Sequence, residues 1–434
     1  MSLLQSALRE TLPRTPERLD QLASLIDPAW IDHVLRLTGK SSIRRRKRPA
    51  EHAVWLVIGL ALFRNLPLWQ VVQQLDLNFE GNVLPAPSAS VQARQRLGEE
   101  PLAQLFSLLT KAWSLPHNKE SLRVLAVDGS VWCAPDTPEN RSSFGSCSTQ
   151  HGPLPWPQIR AVCLMDTLTH QLLDARMGGM DCGELTLASQ LQGLDHSLTV
   201  FDRAYFSAAF LLDWQAQGAS RHWLMRAKDN LRHEVQQTLA EGDWIISMPV
   251  SQRARQLHPH LPSHWQARLV EVQVKGKRRR FITSLTDHKA YPAAALAELY
   301  CQRWEIELGF REIKESLQQG EPVLRSKQPE LVRQELWGVF IAYTLLRRWM
   351  CEMAAQAKVE PLRISFQTAS YAIVGLLRGA SIESAATLPK QLVYLLGQSH
   401  VFVLPPRRPE RHVPRVVKNR SPKFPTKKCQ SGLN

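Results

Sequence analysis

Apolar residues recur at helical spacing through LDQLASLI, HAVWLVIGLALF and LAQLFSLLTKAW, where β-branched runs are scarce. Residues 1–118 therefore predict a helical N-terminal domain. Within it, Leu68 to Leu75 and the segment SASVQARQRL after Pro87 flank a turn-rich stretch containing Asn78, Gly81, Asn82 and Pro85. The pair reads as a loose helix-turn-helix with Gln92, Arg94, Gln95 and Arg96 on its second helix, and also as part of an ordinary bundle with a solvated face. From Leu122 the texture changes. The segments LRVLAVD, IRAVCLMD, HQLLDARM and SLTVFD alternate with the helical stretches ELTLASQLQ and SAAFLLDWQAQ, the pattern of a mixed α/β domain whose first part spans 119–228. Short alternating segments, WIISMPV, ARLVEVQV and RRRFITSL, with many breakers, mark a β-rich insertion at 229–292. Helical periodicity returns from about Ala293. It predicts closing helices of the α/β domain at 293–350 and a helical C-terminal region at 351–405.

Charge sharpens this outline. The chain has 434 residues, with 54 basic and 39 acidic side chains, a formal net charge of +15. A polyanion is the natural partner. The proline-rich tail 406–434 holds nine Lys or Arg against Glu410 alone and has too few apolar residues to fold. It reads as a disordered arm holding DNA without sequence preference. IRRRKR, Ile43 to Arg48, is a second phosphate-binding candidate. An anionic membrane is the other polyanion to weigh. The best apolar runs, Ala53 to Phe63 and Leu336 to Leu346, are 11 residues each, well short of the roughly 20 a span needs. Arg9 and Glu10 stand where a signal peptide would be apolar. A cytoplasmic, nucleoid-associated protein without membrane contact is expected. The seven cysteines form no CxxC pair, so neither a disulfide framework nor a zinc finger is indicated.

Candidate chemistry lies in three carboxylates. Asp128 ends the run VLAV before Gly-Ser, and Asp202 ends LTVF before RAYFS, so each is expected to project from the end of a strand. Two ionised carboxylates brought together repel unless a cation neutralises them, and hard divalent ions with oxygen ligands, Mg²⁺ or Mn²⁺, meet that need. The segment YCQRWEIELGFREIK supplies the third. At about 100° per residue on an α-helix, Tyr300, Arg303, Glu307 and Lys314 fall within an arc of about 60°. Glu305 and Glu312 lie roughly 140° to 160° away from Glu307, on another face. A stripe of one acid, two cations and a phenol suits phosphate handling.

On these residues the chain resembles the DDE transposases of bacterial insertion sequences, in the insertion sequence 4 branch marked by Tyr-x2-Arg-x3-Glu-x6-Lys, which Tyr300, Arg303, Glu307 and Lys314 match at every spacing. The resemblance covers LAVDGS, PQIRAVCLMD, GELTLASQL, FDRAYFS and LMRAKDN and spans about residues 45 to 350. One departure is Ala204 before Tyr205, where family members often have Gly. The resemblance implies an RNase H-like core interrupted by a β-rich insertion between the second Asp and the Glu. The 104 residues between Asp202 and Glu307 are consistent with it. It further implies an Mg²⁺-dependent transposase acting on double-stranded DNA, the element's terminal inverted repeats and the target, by cut-and-paste chemistry through a hairpin intermediate. Asp128, Asp202 and Glu307 would be catalytic and hold two Mg²⁺ ions, with Mn²⁺ able to substitute. Tyr300, Arg303 and Lys314 would contact the phosphate near the cut. Arg160, in PQIRAV, and Lys228, in LMRAKDN, are further DNA-contact candidates, as is KGKRRR, Lys275 to Arg280. In hairpin-forming relatives an insertion aromatic can stack on a flipped base, for which Trp244 and Trp265 are available, although such residues more often pack in a core or hairpin. A homodimer is expected in the complex that pairs two element ends, with Glu335 to Met353 as either its contact or intramolecular packing. The rival readings are a nuclease that never joins DNA, a catalytically silent or domesticated DNA-binding descendant of a transposase, and a basic nucleic-acid-packing protein.

Overall fold

A computed structural model describes residues 26–41, 50–75, 87–114, 121–149, 152–274, 276–321, 323–379 and 394–406. The chain divides into a unit spanning Met1–Val403, which contains every element below, and Leu404–Asn434. The basic run Ile43 to Arg48, the turn residues Asn78 to Pro85, Lys275 and nearly all of the basic tail fall outside the described residues.

Among the described residues the N-terminal part holds five helices: α1 (Pro28–Leu37), α2 (Ala50–Leu62), α3 (Leu68–Gln74), α4 (Pro87–Leu97) and α5 (Glu100–Trp113). Asp27 caps α1, its carboxylate accepting from Ala29 N at 2.8 Å, and Pro28 follows at the first helical position. Helix α2 is apolar all round and buried continuously from Ala53 to Leu62, as its sequence requires. Its cover includes the 29-residue helix α12 (Pro329–Ala357). Gly338 lets the two backbones meet, since a Cβ there would stand 2.9 Å from Val57 O. Phe106 of α5 stacks near Trp337 and Phe340 of α12, with ring centroids 5.3 and 6.2 Å apart. Most of Glu335 to Met353 is thus buried inside the monomer. No helix among the described residues is long and apolar enough to cross a membrane.

Helices α3 and α4 occupy the two segments read as a helix-turn-helix, and one side chain of the second needs correction. Gln92, Gln95 and Arg96 are exposed, but Arg94 is buried. Its guanidinium donates to Gln334 Oε1 at 2.9 Å, Ser326 Oγ at 3.1 Å and Leu331 O at 3.3 Å. It fastens α4 to α12 and is not available to read DNA. Beside it, Arg64 meets Glu335 at 2.9 Å in a buried ion pair.

The expected mixed α/β architecture is built on a nine-stranded sheet ordered β5-β4-β1-β6-β7-β11-β10-β9-β8. Its first part uses β1 (Arg123–Cys133), β4 (Gln158–Asp166), β5 (Leu172–Gly178), β6 (Ser197–Phe201) and β7 (Arg221–Arg226), while β2 (Ser148–Thr149) and β3 (Gly152–Pro153) make a separate two-stranded ribbon. Strands β5, β4 and β1 are antiparallel, and β1, β6 and β7 are parallel. Between them lie helices α6 (Pro138–Phe144), α7 (Glu184–Ala188) and α8 (Ala208–Ala216). The segment after β7 adds β8 (Glu234–Ala240), β9 (Asp243–Pro249), helix α9 (Gln252–Leu257), β10 (His264–Val274) and β11 (Lys277–Thr283). These strands extend the same sheet, because β11 pairs antiparallel with β7. Then come α10 (Ala293–Cys301), α11 (Trp304–Arg311), a π-helical turn (Glu312–Leu317), α12 and α13 (Phe366–Gly379). One core runs from the N-terminal helices through α12 and α11 to a sheet face carrying Ala126, Ala161 and Met165. The opposite face carries Leu125, Val127, Phe201 and Met225.

Candidate active site

Strand register brings the two aspartates together. The last parallel pair of β1 and β6 is Val127 with Phe201, and that of β6 and β7 is Phe201 with Met225. Asp128, Asp202 and Arg226 are each the next residue. They form one row across three strands roughly 4.8 Å apart, on the face opposite Val127, Phe201 and Met225. Asp128 differs from its sequence reading in one respect. It is not at a strand end, because β1 continues to Cys133 by pairing with β4, Asp128 lying opposite Cys163. Asp-Gly marks no turn here. Asp202 does end its strand and caps a single 3₁₀ turn, its Oδ1 accepting from Arg203 N at 2.5 Å. The following helix α8 is capped by Ser207 instead.

Helix α11 lies over Ala126 and Met165 on the face that carries Asp128. Ile306, Gly309 and Phe310 are its buried side, continued by Ile313 of the following turn, and a Cβ on Gly309 would land on the Met165 side chain. This seating turns Glu307 toward the row. Arg303 joins the acids, its guanidinium 2.6 Å from Glu307 Oε1 and 3.8 Å from Asp128 Oδ2. Burial alone would lower the Arg303 pKa, but the hydrogen bond to Glu307 and the charges of Tyr300, Glu307 and Asp202 raise it. Tyr300 packs on Phe281 with ring centroids 5.0 Å apart. Burial raises its pKa, partly offset by Arg303.

The four signature residues do not share one continuous α-helix. Helix α10 stops at Cys301, and Arg303 N bonds Tyr300 O at 3.0 Å in a tighter turn before α11 starts at Trp304. The π-helical turn then carries Lys314. Its Nζ donates to Val131 O at 2.9 Å and sits 4.7 Å from the Trp132 ring centroid, so Lys314 reaches the strand of Asp128 three residues further on. Burial lowers its pKa. Trp132 is itself fixed by Nε1 donating to Gln318 Oε1 at 2.8 Å.

Asp128 is most perturbed among these acids. Burial pushes its pKa up to about 6. The Gly129 N–H and Arg303 oppose that shift, while Glu184 and Glu307 add to it. Glu184, on the first turn of α7, is a fourth carboxylate here that sequence reasoning passed over. It is 3.6 Å from Arg160 Nε. Tyr205 is buried nearby with an unpartnered hydroxyl, its pKa raised by burial and by Glu184, Asp128, Cys163 and Asp202.

The remaining candidates are more peripheral. Arg160 donates to Cys182 O at 2.6 Å and, with Glu184, steadies the start of α7. Lys228 is half-buried, 5.1 Å from the Phe206 ring centroid. Arg279 and Arg280 lie on β11, where Arg280 donates to Asp229 O at 2.9 Å. Trp265 is buried against Trp223 and Phe206, and Trp244 packs on the same core. Neither is exposed for stacking. Trp304, beside Arg303, is 56% exposed. Arg226 and Glu184 were the readable omissions: each sits in a quoted segment, LMRAKDN or GELTLASQL, and lacked only a register to tie it to the aspartates.

Among the described residues no three His, Cys, Asp or Glu side chains stand as they are in an arrangement that would hold a metal ion. The donor set nevertheless fits a hard divalent cation. It is all carboxylate oxygen, and its mutual repulsion, felt at Asp128, is answered in the structure by the Arg303 guanidinium.

Comparison with known proteins bears on this geometry. Residues 16–107 match the family described as Insertion element 4 transposase N-terminal, and residues 119–345 match the Transposase DDE domain. The chain is 39% identical over 422 residues to the transposase InsG for insertion sequence element IS4 of Escherichia coli (strain K12), covering 95% of each chain. It is 32% identical over 230 residues to the putative transposase InsZ of the same organism, covering 51% of this chain and 75% of the relative. Among solved structures, the cryo-EM piggyBac transposase synaptic complex with hairpin DNA aligns with a TM-score of 0.41 at 10% identity, over 92% of this chain and 87% of that chain.

Proposed function

The chain belongs to the insertion element 4 family of DDE transposases, and on that premise we propose that it moves its element by cut-and-paste transposition, with Asp128, Asp202 and Glu307 as the catalytic and metal-holding acids. Membership makes it a nucleic-acid-cleaving and -joining enzyme of a class that uses divalent metal ions. The RNase H-like reading of the core is supported by the order β5-β4-β1-β6-β7, three antiparallel strands followed by two parallel ones. The observation that carries the assignment of acids is the shared row of Asp128 and Asp202, to which Arg303 ties Glu307 at 2.6 Å.

A divalent cation, Mg²⁺ or Mn²⁺, supplies activation of the attacking oxygen and stabilisation of the leaving one when bound to this set. The chain's own residues do the rest. Asp128, ionised, Asp202 and Glu307, released from Arg303, would hold the cation through their carboxylate oxygens. Arg303 then turns its fork to the non-reacting phosphate oxygens, for which a guanidinium is suited. The Tyr300 hydroxyl, held protonated by its burial, donates a hydrogen bond to the same phosphate. Lys314, braced on Trp132 and Val131 O, adds a fixed positive charge on the far side of Asp128. Arg226, Lys228 and Arg280 line the Asp202 side and suit the backbone of the bound strand. Because nicking and joining are one displacement with different nucleophiles, a single set of acids serves both, and a hairpin at the element end is a third use of the same step. Two ends brought together call for two copies of the chain on DNA.

The test is cleavage of a DNA fragment carrying the inverted repeats that flank the gene, with Mg²⁺. The parent is expected to nick the ends and give strand-transfer and hairpin products, and Asp128→Ala, Asp202→Ala and Glu307→Ala to give none. Parent-like cleavage by all three variants would overturn the assignment, and nicks without joined products would favour a nuclease.

A further inference from the structure

Glu305 and Glu312 face away from the active row, yet their side chains are mostly covered, 21% and 20% exposed. Two residues before and five after Glu307, they share one side of the helix and meet a buried cluster. His170 Nε2 lies 2.9 Å from Glu305 Oε2, and His170 Nδ1 lies 3.4 Å from Glu312 Oε2. Arg347 of α12 hydrogen-bonds Glu312 and lies 2.9 Å from His170 Nδ1, while the Tyr343 hydroxyl donates to Glu312 Oε2 at 2.8 Å. The side chains of His170 and Arg347 are 3% and 2% exposed.

The cluster continues to the strand of Asp128. His170 stands in the β4–β5 turn at φ 58°, a left-handed conformation uncommon outside glycine that histidine adopts more readily than most residues. The turn is shaped by Asp166, whose Oδ1 accepts from Leu168 N and Thr169 N and whose Oδ2 receives Arg123 Nε at 2.6 Å. Arg123 begins β1. Thr167 adds a parallel tie, its hydroxyl 3.0 Å from Val124 O and 2.7 Å from Gln302 Oε1 just before α11. An unbroken set of polar contacts thus runs from β1 through the turn to both ends of the segment carrying Glu307. Packing alone does not call for it, because α11 and the π turn already bury Ile306, Phe310 and Ile313, and buried charges are a poor way to gain stability. The π-helical turn starts at Glu312, where Arg347 grips, and it is this turn that aims Lys314 at Val131 O. π-turns recur at functional sites.

We propose that His170, Glu305, Glu312 and Arg347 form a positioning clamp that fixes the catalytic helix against the strand of Asp128, setting where Glu307 and, through the π turn, Lys314 point. The inference rests on the reading of Glu307 as catalytic. Its residues touch no substrate; they act through Glu307 and Lys314.

The experiment compares the parent, Glu307→Ala, Glu305→Ala, Glu305→Gln and the matched double variant Glu312→Gln/Arg347→Met, which removes both charges together and so leaves no buried ion unpaired. Single-turnover cleavage of the inverted-repeat fragment with Mg²⁺, affinity for that fragment without divalent ions, and thermal midpoint are measured for each. Glu305→Ala and the double variant are expected to lose at least tenfold in cleavage rate with DNA affinity within threefold of the parent, and Glu305→Gln to recover to within threefold. Parent-like rates in both, an equal loss of rate and DNA affinity, a Glu305→Gln as slow as Glu305→Ala, or unfolding of both below the assay temperature would overturn the clamp. Parent-like cleavage by Glu307→Ala would instead overturn the assignment of the acids.

Discussion

The carboxyl group of Glu184 lies against the bare Cα of Gly129: a Cβ on Gly129 would come within 2.8 Å of Glu184 Cδ and 2.9 Å of its Oε1. The glycine after Asp128 therefore makes room for a fourth acid and not for a turn. Gly129→Ala is expected to push Glu184 aside at a cost of about 1 kcal/mol, and Gly129→Ala/Glu184→Ala to recover most of it. A double-mutant cycle from thermal or urea unfolding checks this, and strictly additive costs would refute the crowding.

Asp128 is expected to make the metal-free protein less stable as pH rises. Its folded pKa of about 6, raised first by burial, exceeds its ordinary value of 3.8, so between these values the folded state binds the proton more often. Stability falls through that window by at most about 3 kcal/mol. Asp128→Asn should flatten the profile and raise the thermal midpoint near neutral pH while abolishing cleavage. An unchanged pH profile would be the contrary result.

Glu335 is expected to be a stability residue without a chemical role. Besides Arg64, it accepts from Arg325 N, Ser326 N and Ser326 Oγ, at 2.6 to 3.1 Å. Glu335→Ala leaves Arg64 buried without its partner, at a cost of about 3 to 5 kcal/mol. Arg64→Met/Glu335→Met should lose less. Denaturant midpoints of the two variants decide it.

The local signals that carried the sequence reading were periodicity and spacing. The continuous apolar run of α2, the alternation of strands with helices, and the helical phase that separates Glu307 from Glu305 and Glu312 need only neighbours along the chain. What was not legible depends on partners far away. Arg94 looks like a DNA-reading side chain until Gln334 is seen beside it, and His170 becomes meaningful only next to Arg347. Asp-Gly reads as a turn because most such pairs are turns; here β4 pairs past it and keeps β1 extended to Cys133. The break at Cys301 and the π turn at Glu312 carry no Pro or Gly to announce them, so Tyr300 and Lys314 seem to share a helix that the structure divides.

The row of Asp128, Asp202 and Arg226 exists only in one hydrogen-bond register of β1, β6 and β7. A slip of a single residue in β6 would turn Asp202 over to the opposite face, among Val127 and Met225, and turn Phe201 out of it. There is no half-formed version of this arrangement. Substitutions that weaken β6 pairing should therefore reduce the fraction of molecules able to react, while each molecule that does react keeps the parent's speed.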